Sequence, residues 1–187
     1  MSVGFLPDFA LNASLPLGGR FARLEILDYR GAARHVRSLP YGRNTDRSAW
    51  RLVLEQERGT CSTKHALLAE LARENGRRVA LVLGVYEMDE ANTPGVGAVL
   101  KHNGLRRVPE AHCYLAYEGA RVDLTRQGEG GHIQRFLHEE EIEPRQIGDY
   151  KVAAHKRFVR RWAEERGLDP ERVWRVREEC IASLAVQ

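Results

Sequence analysis

Hydrophobic and polar positions follow three kinds of pattern along this chain. Between Lys64 and Asn75, Leu67, Leu68, Leu71 and Ala72 recur at helical spacing, which predicts an amphipathic helix with one apolar stripe. Thr60 or Ser62 stands where an N-cap belongs, and Gly76 supplies the stop. Val79 to Tyr86 is nearly continuous in apolar residues, as a strand buried on both faces should be. His112 to Tyr117 and Ala120 to Thr125 read as two further strands joined at Glu118-Gly119. Helical periodicity returns from Tyr150 to Arg166, ended by Gly167. Asp169-Pro170 then opens a last helix, whose buried stripe is Val173, Val176, Cys180, Ile181 and Leu184.

Other stretches are less decided. The first forty residues carry turn signals at Leu17-Gly18-Gly19 and from Ser38 to Gly42, and Arg20 to Leu27 fits a strand or a short helix equally well. Glu87 to Pro109 reads as a long connection through Asn92-Thr93-Pro94-Gly95 and His102-Asn103-Gly104, of the length that often serves function. Gly128 to His132 reads as a glycine-rich break. Helix, then strands, then helices predicts an α+β fold with a mainly antiparallel sheet. The expected organisation is a single domain over 1–187, with a core at about 45–147 and a helical part at 148–187.

Composition narrows the classes. With 43% hydrophobic and 29% charged residues the chain is globular rather than disordered or fibrous. A net charge of +3, without aromatic-basic motifs, gives no reason to expect a nucleic-acid partner. Lys156, Arg157, Arg160 and Arg161 read as a solvated helix face. No apolar run is long enough to span a membrane, and Met1 to Gly19 lacks the basic start of a signal peptide. Three cysteines without such a signal do not describe a disulfide framework, so a cytoplasmic protein with free thiols is expected.

Of these thiols, Cys61 has the setting for chemistry. It falls at or just before the first turn of the Lys64–Asn75 helix, where the helix dipole stabilises a thiolate, and Arg58 and Lys64 are close in sequence. An ordinary buried cysteine is the competing reading, against which the polar neighbours Thr60, Ser62 and Lys64 argue. Cys113 and Cys180 read as core. A nucleophilic thiol needs a base, and the base needs an orienting group. His112 and Asp123 fill these roles if Glu118-Gly119 is a two-residue loop. Tyr117 then pairs with Ala120 and Tyr114 faces Asp123, with His112 on the side of Tyr114. A three-residue loop would turn Asp123 to the other face. The Cys61 N–H is a natural oxyanion donor, with Gln56 or Asn44 as a second. Trp50, Tyr114 and His65 are pocket candidates. His65, one helical turn after Cys61, could touch the thiol or join Cys61 and His112 around zinc. The chain has no second close-spaced ligand pair, so neither a metal nor a cofactor is expected. His102, His132 and His138 read as solvated.

Gly59-Thr60-Cys61 before a helix, Ala111-His112-Cys113-Tyr114-Leu115-Ala116-Tyr117 and Val122-Asp123-Leu124-Thr125, in that order, resemble the cysteine, histidine and aspartate motifs of the transglutaminase-like superfamily. The resemblance spans roughly residues 56 to 126. Two positions after His112 this chain has Tyr114, where many members carry Trp, and the usual Gly-Ile-Pro-Ala-Arg run is reduced to Gly76-Arg77-Arg78-Val79. The resemblance implies a papain-like fold, with a cysteine helix packed on an antiparallel sheet bearing His and Asp. It also implies acyl transfer through a thioester, with a peptide or small amide as substrate. Hydrolysis is the expected outcome. Transfer to an amine, or a non-catalytic binding module on the same fold, remains the alternative. Oligomeric state is not legible.

Overall fold

The computed structural model describes residues 3–125 and 133–184; the expected break at 128–132, with His132, lies outside them. Helices α1 (Pro16–Ala22), α2 (Tyr29–Ser38), α3 (Leu52–Glu55) and α4 (Cys61–Glu74) come first. Strand β1 (Ala80–Met88), helix α5 (Gly97–His102) and strands β2 (Val108–Tyr117), β3 (Ala120–Val122) and β4 (His138–Ile142) follow. Helices α6 (Asp149–Glu164) and α7 (Pro170–Ser183) end the chain. The fold is mixed α+β, with a four-stranded antiparallel sheet in the order β3-β2-β1-β4. The chain divides into two compact units of interleaved segments: Met1–Leu83 with Cys113–Gln127 and Glu140–Gly148, and Gly84–His112 with Gly128–Glu139 and Asp149–Gln187.

In the first unit α1, α2, α3 and the short turn Pro144–Gln146 all pack on α4. Eleven of the 14 residues of α4 are buried, Ser62, Thr63, Lys64 and His65 among them. The expected apolar stripe Leu67, Leu68, Leu71 and Ala72 is buried, but the helix is not amphipathic in the expected sense, because its first turns bury polar side chains as well. Each of these requires a partner inside the protein. The C-terminal end of α4 completes α1. Glu74 accepts hydrogen bonds from the N–H groups of Leu17 (3.0 Å) and Gly18 (2.9 Å), where α1 has no side-chain cap of its own. Leu17-Gly18-Gly19 is therefore helix and not turn. Gly18 is required by packing, since a Cβ there would lie 2.1 Å from the Asn12 carbonyl oxygen. Helix α2, absent from the sequence reading, begins where Asp28 accepts from the Gly31 N–H at 2.6 Å.

The second unit is held by a core of Tyr86, Met88, Val96, Leu100, Val108, Val159, Trp162, Val173, Val176 and Cys180, with Ile181 and Leu184 packed against it. The predicted stripe of α7 thus faces this core, and Asp169 and Pro170 start the helix as expected. The stretch expected as one long connection contains α5, because Val99 and Leu100 pack this six-residue helix on the core between the Gly and Asn signals. β4 was not predicted. Its sequence is His-Glu-Glu-Glu-Ile, and only Ile142 is buried. Lys156, Arg157, Arg160 and Arg161 are exposed, as read from the sequence. Among the described residues no helix is long and apolar enough to cross a membrane.

A buried ion pair ties α7 to β2 within this unit. Arg177 holds the Glu110 carboxylate through two parallel hydrogen bonds, from Nε and from Nη2 (2.7 Å). Burial alone would raise the Glu110 carboxyl, but the Arg177 charge and hydrogen bonds overcome it and hold the group below the usual glutamate range. Beside the pair, His155 donates from Nε2 to the Pro109 carbonyl at 3.0 Å and meets Trp174 edge-on. Desolvation pushes its pKa down to about 4, against the opposing pull of Glu110.

The folded state therefore binds fewer protons at His155 than the unfolded chain does between pH 6.5 and about 4. Stability is complete above that window and falls as pH drops through it, by on the order of 3 kcal/mol. Denaturant titrations followed by fluorescence, to which Trp162 and Trp174 of this unit contribute, should show the loss in wild type. In His155→Gln, which keeps a donor for Pro109 without a titrating ring, the loss over this window should be smaller than in wild type.

Candidate active site

Cys61 is the first residue of α4, and Thr60 is its N-cap. The Thr60 side chain accepts from the Thr63 N–H (3.4 Å), while the Thr60 N–H donates to Thr63 Oγ1 (3.0 Å). This reciprocal capping fixes the turn on which the cysteine sits. Thr63 Oγ1 in turn donates to Asn44 Oδ1 at 2.9 Å. Gly59 leaves room for the network. A Cβ at that position would lie 2.9 Å from both Thr63 Oγ1 and Lys64 Cγ and 3.1 Å from Val53. The glycine of Gly59-Thr60-Cys61 is thus explained by the side chains of the helix that follows. Cys61 itself retains 8% exposure, whereas Cys113 and Cys180 are fully buried and belong to the core, as read from the sequence. Burial pushes the Cys180 thiol up to about 11, far from the range of a nucleophile.

Asn44 and Gln56 are both engaged around this turn. Asn44 Nδ2 donates to the Arg58 carbonyl (3.0 Å) and to Gln56 Oε1 (3.2 Å), and Gln56 Nε2 donates to Thr45 Oγ1 (2.7 Å). Service as an oxyanion donor requires Asn44 to give up one of these bonds. Trp50 is buried under the Arg51 guanidinium, 4.2 Å from the ring centroid, and Tyr114 is buried with Arg121 at 5.0 Å.

The β2–β3 hairpin has the two-residue loop that the sequence reading required. Tyr117 pairs with Ala120, Ala116 with Arg121 and Leu115 with Val122. The expected strand from Ala120 to Thr125 ends at Val122, so Asp123 follows β3 instead of lying within it; it is half-buried, and its Oδ1 accepts from the Thr125 N–H (2.9 Å) and hydroxyl (2.5 Å). Asp123 and Cys61 both belong to the first unit. His112 belongs to the second, on β2. It is partly exposed there, and its ring stands edge-on to Tyr86 with centroids 6.4 Å apart.

Sequence alone makes Lys64 a charged neighbour of the thiol and His65 a pocket residue, a contact of the thiol or a zinc ligand. In the structure both are fully buried. Lys64 Nζ donates to the carbonyls of Leu39 (2.6 Å) and Thr125 (2.9 Å). His65 Nδ1 lies 2.7 Å from the Cys61 carbonyl, and its Nε2 accepts from the Leu124 N–H at 2.8 Å. A run of polar residues at consecutive positions, in a helix otherwise rich in Leu and Ala, was the available signal. Among the described residues no cluster of three or more His, Cys, Asp or Glu is placed to hold a metal ion. His102 and His138 are exposed.

No family model, curated protein or solved structure matches the chain.

The steric account of Gly59 is testable. Gly59→Ala should lower stability by up to about 3 kcal/mol, and by clearly more than the Gly104→Ala control, because Thr63 and the buried Lys64 must both yield. Gly104→Ala, where a Cβ meets nothing within 4 Å but the backbone has φ +64°, should cost only about 1 kcal/mol. Equal losses in denaturant titrations would remove the packing explanation.

Proposed function

We propose that this protein is a cysteine-dependent acyl-transfer enzyme of transglutaminase-like type on a papain-like fold. In this reading Cys61 is the nucleophile, His112 its base and Asp123 the group that orients the base. The observation that carries the reading is the setting of Cys61: the first residue of a 14-residue helix, on a turn fixed by reciprocal capping. The N–H groups of a first helical turn have no partners within the helix, and their partial positive charge favours a thiolate. The two-residue hairpin loop gives further support, since the alternative loop would have turned Asp123 away.

The chemistry follows from these roles. His112 takes the proton of the Cys61 thiol, and the sulfur forms a bond to the substrate carbonyl carbon. The carbonyl oxygen gains negative charge, for which the Cys61 N–H is the natural donor. When the bond to the leaving amine breaks, the imidazolium returns its proton to that amine. A thioester on Cys61 remains. Water, deprotonated by His112, attacks it to release a carboxylic acid and restore the thiol. Hydrolysis of an amide or peptide bond is the proposed outcome. An amine in place of water would make the protein a transferase. All three cysteines are free thiols, and we place the reaction in a reducing, cytoplasmic setting.

An activated ester tests the proposal without knowledge of the natural substrate. Mixed with p-nitrophenyl acetate, wild type should release a burst of p-nitrophenolate and carry one acetyl group, mapped to Cys61 by mass spectrometry. Cys61→Ala should show no burst. His112→Ala should slow it by at least about a hundredfold, in the range of a lost general base. Acetylation spread evenly over lysines, or unchanged in His112→Ala, would instead favour a binding module.

A further inference from the structure

His65 bonds to the main chain of the residue carrying the proposed nucleophile and to that of the residue following the proposed acid. Its partners fix its state. The Cys61 carbonyl can only accept, so Nδ1 carries the proton and donates at 2.7 Å. The Leu124 N–H can only donate, so Nε2 is unprotonated and accepts at 2.8 Å. The ring is therefore the neutral Nδ1–H tautomer. It has no proton on Nε2 for Asp123 Oδ1, which lies 3.7 Å away, and this approach is not an ion pair. Both nitrogens are committed to the backbone, so His65 is neither a base for the thiol nor a metal ligand. Lys64, the preceding residue, grips the same segment one residue further on, through the Thr125 carbonyl at 2.9 Å. The Thr125 N–H and hydroxyl in turn hold the Asp123 carboxylate.

We propose that His65 is a positioning residue. Its imidazole sets the separation and orientation of the Asp123 segment relative to the Cys61 end of α4, with Lys64 as a second tie. The inference rests on the triad reading above, because it assigns His65 the task of placing a group which that reading makes functional. An apolar residue of similar size would fill the same space but leave the Leu124 N–H and the Cys61 carbonyl without this bridge. Such buried groups relax toward other partners, and Asp123 would move with its backbone.

The two bonds of the ring can be separated. In His65→Asn the side-chain amide stands near the position of Nδ1 and keeps the Cys61 bond but falls short of Leu124. In His65→Gln the side-chain oxygen reaches toward the position of Nε2 and can accept from Leu124. The burst of p-nitrophenolate is measured for both variants, for Asp123→Asn and for His65→Asn/Asp123→Asn, with melting curves confirming that each is folded. We expect His65→Asn to slow acetylation of Cys61 by at least about tenfold, as small misplacements of catalytic groups do. The double variant should be no slower than Asp123→Asn alone, and His65→Gln should recover most of the rate. If Asp123→Asn is slow while His65→Asn matches wild type, or if the two losses multiply, His65 does not act through Asp123 and the inference fails with the triad intact. If Asp123→Asn itself matches wild type, the triad reading fails and takes the inference with it. Should His65→Asn not fold, nitrogen NMR of wild type decides the geometry: a proton on Nδ1 and a coupling from the Leu124 N–H into Nε2 are expected, and a proton on Nε2 overturns the proposal.

Discussion

A lysine without solvent exposure must find acceptors within the protein, and Lys64 finds them in the carbonyls of Leu39 and Thr125. Left without acceptors, a buried ammonium costs several kcal/mol. The requirement reaches well beyond one side chain. It draws the segment after α2 and the segment after β3 to the first turns of the same helix. It also accounts for Gly59, since any larger residue would press on the lysine stem. His65 adds the Leu124 N–H to the same set of ties, and Asn44 fastens Thr63, the partner of the cap residue Thr60. The N-terminal end of α4 is thus a polar junction within a buried environment. Its geometry is specified by hydrogen bonds with fixed directions, where an apolar contact would tolerate sliding.

That junction is where a thiol of altered reactivity would be useful. Preorganisation requires that reactive groups be held by neighbours which are themselves held. Cys61 sits on a capped turn, the cap is fastened by Asn44, and the segment carrying Asp123 is bound at the two residues that follow it. The Glu110–Arg177 pair does comparable work in the second unit, where it joins the strand bearing His112 to α7. In both units buried charge is satisfied by partners of defined geometry, and in both the ordering falls on elements that carry proposed site residues.

Much of the architecture was legible from periodicity. The helix after Cys61, β1, the β2–β3 hairpin with its two-residue loop, and both C-terminal helices follow from apolar spacing and from Gly, Asp and Pro at their ends. The failures have physical reasons. α1 carries two adjacent glycines because the chain near Asn12 presses on it, and glycine pairs read as turns when such packing is unseen. α2 depends on Asp28 as a cap, and α5 is too short for periodicity to rise above its flanking turn residues. β4 is almost wholly charged, and backbone pairing at the end of the sheet order makes it a strand. The residues of the proposed triad were visible as motif positions. Lys64 and His65 stood out as neighbours of the thiol, but their ties to Leu39, Leu124 and Thr125 were not legible, because those partners are remote in sequence. No local pattern reports a hydrogen bond to a distant main-chain group.

The central claim of the proposed function is that Cys61 ionises to a reactive thiolate more readily than a free cysteine. Its most direct test is an ultraviolet titration of thiolate absorbance across pH, taken as the difference between wild type and Cys61→Ala. The account predicts a transition well below the value of about 8.5 for a free cysteine, moving back toward that value in His112→Ala. A transition at or above about 8.5, unaffected by His112, would show an ordinary buried thiol and contradict the account.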